Sequence, residues 1–270
     1  MKPMSYRTFF ELEREPFSSD IALESILKTP ALTGVEERIR YALGLGAIAL
    51  LTGEIGSGKS TALRYVTEML HPSEYRTLYI TASTGSVLEL YRQMLHVLGM
   101  EMGGVSRAVM LKRIRQEILE WVQGKKMKML LVIDEASLLR LEVFAELHTL
   151  TQFEKDSKPI LPIVLAGQSN LVDNLMYRSS LPLASRIVGR SHLEGVTREQ
   201  MEKYLTHHLA IAGVTHNIFD ETAITAIHQG SGGLFRKANH LARGAIVVAA
   251  KNKSMTVNAD HVRMAATEIF

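Results

Sequence analysis

Apolar residues in the first two thirds of the chain fall into two alternating patterns. Short continuous apolar runs bounded by turn residues are typical of buried strands, whereas apolar residues that recur every three or four positions indicate helices. Predicted strands lie at 47–51, 77–82, 127–133 and 160–166, and predicted helices lie at 62–70, 86–98 and 107–122. Strands that alternate with helices predict a parallel sheet covered on both faces, with a ligand at the carboxyl ends of the strands.

The last part of the chain has a different pattern. Beyond about Arg190 the strand signals fade, and helices are predicted at 198–212, 220–229, 234–250 and 259–269. Asp220 and Asn258 stand where capping side chains are expected. His207 and His208 have no partner ligands at a metal-binding spacing, so we expect them at a helix surface. This region is predicted to form a separate, small α-helical unit.

Composition limits the classes of protein that the chain can represent. Among its 270 residues 46% are hydrophobic, which is enough for a substantial core, and it has no cysteine for disulfides or thiolate metal sites. The start of the chain is not followed by the apolar segment of a signal peptide, and no uninterrupted apolar stretch reaches about 18 residues. We therefore expect a cytoplasmic protein outside the membrane. The net charge of +3 permits binding to a polyanion without requiring it.

The segment Gly53–Ser60 fits the phosphate-binding pattern G-x-x-x-x-G-K-[ST] at every fixed position. Its glycines allow successive backbone N–H groups to face phosphate oxygens, and the helix that follows presents its positive end to the same anion. Lys59 is predicted to reach the β- and γ-phosphates of a nucleoside triphosphate, and Ser60 to help hold Mg²⁺. The alternative, a glycine-rich turn that binds nothing, is disfavoured by the strand–loop–helix context. The predicted nucleotide-binding residues here are Gly53, Glu54, Ile55, Gly56, Ser57, Gly58, Lys59, Ser60 and Thr61.

A second motif is an apolar strand, Met129–Ile133, that ends in two carboxylates, Asp134 and Glu135. An ATPase holds Mg²⁺ through one such acid and polarises water with the next. Because magnesium keeps several of its waters, we expect Asp134 to act on the metal through one of them. Glu135 is the candidate general base. The alternative is an ordinary strand followed by a helix start, where acidic residues are favoured.

Together with Leu165–Gln168 and Gly232–Arg236, these two motifs resemble those of AAA+ ATPases. More narrowly, they are similar to the ExeA-like group and to the transposition regulators TnsC, MuB and IstB, and Phe9–Phe17 resembles the leader of that group. The resemblance implies an α/β P-loop core, with helices on both faces of a parallel sheet, followed by a small all-α lid. The implied boundaries are a leader at 1–40 that packs on the core, the core at 41–190 and the lid at 191–270.

Two sensor residues follow from the resemblance. Gln168, at the end of the fourth predicted strand, matches the first sensor, which reads the γ-phosphate or the attacking water. Arg236 matches the second sensor, an arginine of the lid that touches the nucleotide. The alternatives are a polar turn at Gln168 and a surface arginine at Arg236. The chain departs from the ExeA-like pattern at Gln152 and Ser169, which puts fast hydrolysis in doubt.

The resemblance also implies a residue that completes a neighbouring subunit's site. Arg186 is the candidate arginine finger, with Arg178 and Arg190 as competitors, and a solvated basic loop is the alternative. A finger acting in trans would couple hydrolysis to assembly of a homo-oligomer, as a ring or a helical filament. Pro16 and Phe17 resemble a segment that packs near the adenine base, although a Pro-Phe pair serves equally well as a packing anchor.

Basic residues between the second and third predicted strands are candidates for contacts with duplex DNA. In the transposition regulators this part of the core faces DNA, and contacts to the phosphate backbone would be independent of sequence. A solvated, charged helix face is the alternative for each of them. The candidates are Arg107, Lys112 and Arg113.

The leading functional hypothesis is an ATP-dependent, DNA-binding regulator of transposition. ATP and Mg²⁺ would drive assembly on DNA, the assembly would recruit a transposase and possibly a target-selection protein, and hydrolysis would dismantle it. The first alternative is the ATPase of a secretion assembly, whose ExeA-type members resemble longer chains with a membrane segment and a cell-wall-binding portion that we do not find here. The second alternative is a scaffold that binds ATP with little turnover.

Overall fold

The computed structural model describes residues 5–100 and 106–269 of the chain. The chain divides into two compact units. The first, called the α/β unit below, joins Thr29–Gly53 with Lys59–Leu193. The second, called the helical unit, joins the segment before Thr29, the short segment Glu54–Gly58 and the segment from Glu194 onward.

The described elements are as follows, in chain order. The strands are β1 Ile48–Gly53, β2 Tyr75–Thr81, β3 Lys128–Asp134, β4 Ile163–Gly167 and β5 Ile187–Leu193. The α-helices are α1 Tyr6–Phe9, α2 Pro30–Leu45, α3 Lys59–Glu68, α4 Val87–Val97, α5 Arg107–Leu119, α6 Leu141–Thr151, α7 Asn170–Met176, α8 Leu181–Ala184, α9 Arg198–Ile211, α10 Glu221–Ser231, α11 Phe235–Lys251 and α12 Ala259–Ile269. One π-helical turn, Glu120–Gly124, extends α5, and two 3₁₀ turns are present, Leu23–Ser25 before α2 and Ala136–Leu138 after β3.

The α/β unit is built on a five-stranded sheet in the order β2-β3-β4-β1-β5. Each pair of neighbouring strands is parallel. Strands β1 and β4 are buried along their whole length, as their continuous apolar sequences predict for strands covered on both faces. Because all five strands are parallel, the carboxyl ends of β1, β3 and β4 lie on the same side of the sheet. Both sequence motifs lie at this carboxyl-terminal edge.

The predicted fold class is confirmed, and each of the four predicted strands is present. The fifth strand, β5, escaped prediction because its residues alternate between buried and exposed positions, with Gly189 and Leu193 inside and Arg190 and His192 outside. Because polar residues occupy exposed positions of β5, the strand lacks the continuous apolar run by which the other strands were predicted. The α-helical pattern predicted beyond position 198 is confirmed as α9 to α12.

The helical unit has its own hydrophobic core between α9, α10, α11 and α12. Alanines of α11, including Ala242 and Ala245, are fully buried and allow the neighbouring helices to pack closely. The segment expected as a leader at 1–40 is divided between the two units. Phe10, Leu12 and Phe17 lie in the core of the helical unit, and α2 begins at Pro30 within the α/β unit.

Aromatic contacts explain why the leader is held in the helical unit. Phe17 is 1% exposed, stacks on His208 with ring centroids 5.5 Å apart and meets Phe219 edge-on at 6.1 Å. Arg243 donates a hydrogen bond to the Phe17 carbonyl oxygen at 2.9 Å. The leader therefore supplies part of the core that the lid helices alone would leave open.

His208 is buried, in contrast to the surface position expected from the sequence. Its ring lies between Phe17 and Tyr204, whose centroid is 4.4 Å away. Burial, with a smaller effect of the neighbouring His207, lowers the pKa of His208 to about 4. The imidazole is therefore neutral in the folded protein at neutral pH.

This pKa predicts a loss of stability in mild acid. The unfolded chain takes up a proton at His208 near pH 6.5, whereas the folded chain does so only near pH 4. The stabilising contribution of neutral His208 is therefore fully present above the unfolded pKa and falls as the pH drops between these two values. We expect His208 to lower the free energy of unfolding by about 2 kcal/mol between pH 7 and pH 5. Denaturant unfolding measures this loss. It should shrink in His208→Gln and persist in the exposed control His240→Gln; equal pH dependence in both variants would contradict the assignment.

Candidate active site

The loop between β1 and α3 has the backbone of a phosphate cradle. Gly56 and Gly58 have backbone φ angles of 87° and 101°, which residues with a Cβ atom rarely adopt. The Ser57 hydroxyl oxygen is buried and has no hydrogen-bond partner among the residues described. An unpartnered buried hydroxyl is costly unless a ligand satisfies it, so this loop fits an anion bound within it.

Lys59 and Ser60 are the first two residues of α3. The Lys59 side chain is buried, and its Nζ donates to the carbonyl oxygen of Gly53 at 2.8 Å, so the ammonium group turns back across the loop. The Ser60 hydroxyl donates to Oδ2 of Asp134 at 3.0 Å. This hydrogen bond joins the two motifs that are 74 residues apart in sequence. Thr61 is exposed beside them.

The Asp134 carboxylate, at the end of β3, is buried and accepts three hydrogen bonds. Oδ2 accepts from Ser60 and from the Tyr79 hydroxyl at 2.9 Å, and Oδ1 accepts from the backbone N–H of Glu135 at 2.9 Å. Glu135 itself has a φ of 54°, in the left-handed region, so the chain turns sharply directly after the strand. Glu135 is half-buried at this turn.

Tyr79 is a site residue that the sequence motifs do not reveal. It lies on β2, which pairs with β3 so that Thr81 is opposite Asp134. Burial, followed by the charge of Asp134, raises the pKa of Tyr79 well above that of a free phenol. The hydroxyl therefore stays protonated and acts as a donor to the carboxylate.

Gln168 directly follows β4, and its backbone N–H donates to the Ser137 hydroxyl at 3.3 Å. Ser137 belongs to the 3₁₀ turn after Glu135, so the ends of β3 and β4 are joined. A Cβ at Gly167 would lie 2.8 Å from the Ser137 nitrogen, which explains the glycine there. Gln168 is thus brought to the same edge of the sheet as Asp134 and Glu135.

The donor set fits Mg²⁺ bound together with a nucleotide. No group of three His, Cys, Asp or Glu residues in the described part of the chain could hold a metal ion alone. Magnesium is commonly bound by one or two protein oxygens, phosphate oxygens and water. Ser60 and Asp134 carry oxygens of the kind that Mg²⁺ would need here, and Lys59 carries a positive charge that would suit the phosphates.

Within the helical unit, the start of α11 packs on the segment Glu54–Gly58. The backbone N–H of Arg236 donates to the carbonyl oxygen of Gly56 at 3.3 Å. A Cβ at Gly56 would lie only 2.7 Å from the Arg236 Cβ, and one at Gly58 would lie 3.4 Å from the ring of Phe235. Arg236 is exposed. The structure thus places Arg236 beside the segment Glu54–Gly58.

The candidate adenine contacts, Pro16 and Phe17, are both buried. Because the Phe17 ring packs against His208 and Phe219 in the core of the helical unit, the structure favours the packing-anchor alternative for this pair.

The three candidate finger arginines have different surroundings. Arg186 directly precedes β5 and forms an ion pair with Asp156 at 2.5 Å within the α/β unit. Arg178 and Arg190 are both exposed. A finger role for Arg186 would require this ion pair to break, whereas the other two arginines need no such change.

Two of the three candidate DNA contacts are engaged within the chain. Arg107 forms an ion pair with the buried carboxylate of Glu146, which also accepts a hydrogen bond from Tyr91. Arg113 pairs with Glu117 at 3.0 Å. Lys112 is exposed. Arg107 therefore closes a buried polar cluster, and a DNA phosphate would have to compete with Glu146 for it.

The parallel sheet, the loop after β1 and the acidic end of β3 define the AAA+ P-loop NTPase fold. Residues 44–175 match the family model described as "AAA domain". The chain is 30% identical over 273 residues to "General secretion pathway protein A" of Aeromonas hydrophila, an alignment that covers 98% of this chain and 48% of that protein. The chain thus spans about half the length of this relative.

Solved structures share the fold at lower identity. Cdc6p from Pyrobaculum aerophilum aligns with a TM-score of 0.75 and 18% identity, covering 94% of this chain and 70% of that one. The Aeropyrum pernix ORC1 protein, solved in complex with DNA, aligns with a TM-score of 0.69 and 18% identity, covering 94% and 68%. In the described part of the chain, no helix combines the length and apolar character needed to cross a membrane.

Proposed function

We propose that the chain binds Mg²⁺ and ATP on the loop Gly53–Ser60 and hydrolyses the nucleotide at the edge of the sheet. The observation that carries this proposal is the hydrogen bond from Ser60 to Asp134, which brings the phosphate loop and the acidic strand end together. When bound, Mg²⁺ neutralises charge on the β- and γ-phosphates. Ser60 would bind the metal directly, Asp134 would act through a metal-bound water, and Lys59 would bind the phosphates.

Glu135 is proposed as the general base. It would accept a proton from the water that attacks the γ-phosphorus, while the bond from that phosphorus to the bridging oxygen of ADP breaks. The sharp turn at Glu135 supports this role, because it separates the glutamate from the strand while Asp134 remains fixed by three donors. Gln168 and Arg236 are proposed to sense the γ-phosphate, and Arg178, Arg186 or Arg190 to complete a neighbouring copy's site.

For the wider role, we infer an ATPase that acts in a secretion assembly. The similarity to the general secretion protein extends over nearly the whole of this chain, which supports this alternative more than regulation of transposition. The ion pairs of Arg107 and Arg113 also weaken the case for DNA contacts on that surface. The proposed partners are further copies of this chain and components of such an assembly, with ATP as the switch.

The test combines phosphate release with measurement of mass in solution. We expect turnover that requires Mg²⁺ and stops in EDTA, a larger particle with ATP than with ADP, and no effect of duplex DNA on either. Stimulation of both by DNA would restore the transposition hypothesis. Binding of ATP without assembly or turnover would favour a scaffold, and failure to bind ATP would remove the proposal altogether.

A further inference from the structure

We infer that Tyr79 is a positioning residue that holds the Asp134 carboxylate in place for the metal. This inference rests on the proposed Mg²⁺-dependent function of the site. Tyr79 belongs to neither the phosphate-loop motif nor the acidic motif. It lies on β2, the outermost strand of the sheet next to β3. Its hydroxyl donates to Oδ2 of Asp134 at 2.9 Å, the same oxygen that accepts from Ser60 at 3.0 Å.

The strand register explains this contact. Tyr79 is opposite Val132 in the parallel pair of β2 and β3, two positions before the Thr81–Asp134 pair. Residues two apart on a strand share a face of the sheet, and the length of a tyrosine side chain spans the remaining distance along the strand. A shorter side chain at position 79 could not place a hydroxyl on the carboxylate.

The three donors to Asp134 differ in what metal binding would demand of them. The Glu135 N–H is part of the backbone turn and fixes Oδ1. Ser60 would turn an oxygen lone pair toward the metal while it still donates to Oδ2. Tyr79 would not bind the metal itself. Its hydroxyl can therefore donate to Oδ2 in the same way before and after the metal binds. Its loss would leave the carboxylate freer to rotate away from the metal's water shell.

The experiment compares Tyr79→Phe with Tyr75→Phe. Tyr75 lies four residues earlier on the same face of β2, and its ring is 5.2 Å from the Lys128 ammonium group. Tyr79 is 36% exposed, so removal of its hydroxyl leaves no buried gap. The measurements are the affinity for a fluorescent ATP analogue in EDTA, the same affinity along a Mg²⁺ titration, and the Mg²⁺ dependence of turnover.

For Tyr79→Phe we expect unchanged affinity in EDTA and a roughly tenfold higher Mg²⁺ concentration for half-maximal binding, the loss typical of one hydrogen bond to a charged group. Turnover should recover at saturating Mg²⁺. Tyr75→Phe should match the wild type throughout. Wild-type Mg²⁺ dependence in Tyr79→Phe, equal shifts in both variants, or an equal loss of affinity in EDTA would each overturn the inference. If the wild type itself binds no ATP, the proposed function fails and the inference fails with it.

Discussion

We expect Lys59→Ala to lower the affinity for ATP by roughly 100-fold or more. The variant removes a buried ammonium group that is held across the phosphate loop by the Gly53 carbonyl oxygen, and hydrogen bonds between charged groups in such sites are worth about 1.5–3 kcal/mol each. Loss of the two phosphate contacts proposed for Lys59 would account for the effect. Titration calorimetry with ATP and Mg²⁺ measures the affinity.

Lys251→Ala, at the exposed end of α11, provides the control for the loss of one positive charge. It should bind ATP as the wild type does. Folding of both variants is checked by thermal unfolding, which separates loss of the site from loss of structure. Wild-type affinity in folded Lys59→Ala would show that ATP, if it binds, does not use this loop.

The second large effect is expected for Glu135→Gln, which should lower turnover by about 10²- to 10⁴-fold, the usual contribution of a general base. Glutamine keeps the shape of the side chain and the polar end, but it cannot accept the proton of the attacking water. ATP affinity should remain within a few-fold of the wild type because Lys59, Ser60 and Asp134 are untouched. Single-turnover phosphate release and equilibrium binding measure the two properties separately.

Glu142→Gln is the matched control, since Glu142 is exposed in the first turn of α6 and lies outside the site. Its turnover should equal that of the wild type. A Glu135→Gln variant that hydrolyses ATP at the wild-type rate would remove Glu135 from the role of base, and the half-buried carboxylate would then be a structural feature of the turn after β3.

The parts of the fold with continuous apolar strands were predictable from the sequence. Strands β1, β3 and β4 are buried on both faces, so their sequences have the unbroken apolar runs by which such strands are recognised. Helix α2 had usable signals that the periodicity did not reveal. Thr29 caps its first turn, Pro30 occupies its first position and Gly46 ends it in the left-handed conformation.

Some residues of the candidate site were likewise predictable from the sequence, and others were not. Lys59, Ser60 and Asp134 were predictable because local motifs on strand ends place them, and the sheet then brings those ends together. Tyr79 was not predictable, because its contact with Asp134 depends on the register of β2 against β3. The burial of Phe17 depends likewise on packing against His208, more than 190 residues away in the sequence.

The arginine candidates show what sequence resemblance leaves undecided. Position in the chain favours Arg186, but the structure engages that side chain with Asp156 and leaves Arg178 and Arg190 exposed. Likewise, Arg107 suits a DNA contact by position, yet it neutralises the buried Glu146. Charge alone does not separate an interaction surface from an internal ion pair.

The central claim is that one Mg²⁺-ATP site forms from the loop Gly53–Ser60 and the carboxylate end of β3. A crystal structure with a non-hydrolysable ATP analogue and Mn²⁺ in place of Mg²⁺ tests it most directly, because Mn²⁺ is located by its anomalous scattering. We predict the triphosphate within the loop, the metal coordinated by the Ser60 oxygen, and a water between the metal and Asp134. A nucleotide seated elsewhere, or a metal with no link to Ser60 and Asp134, would contradict the account.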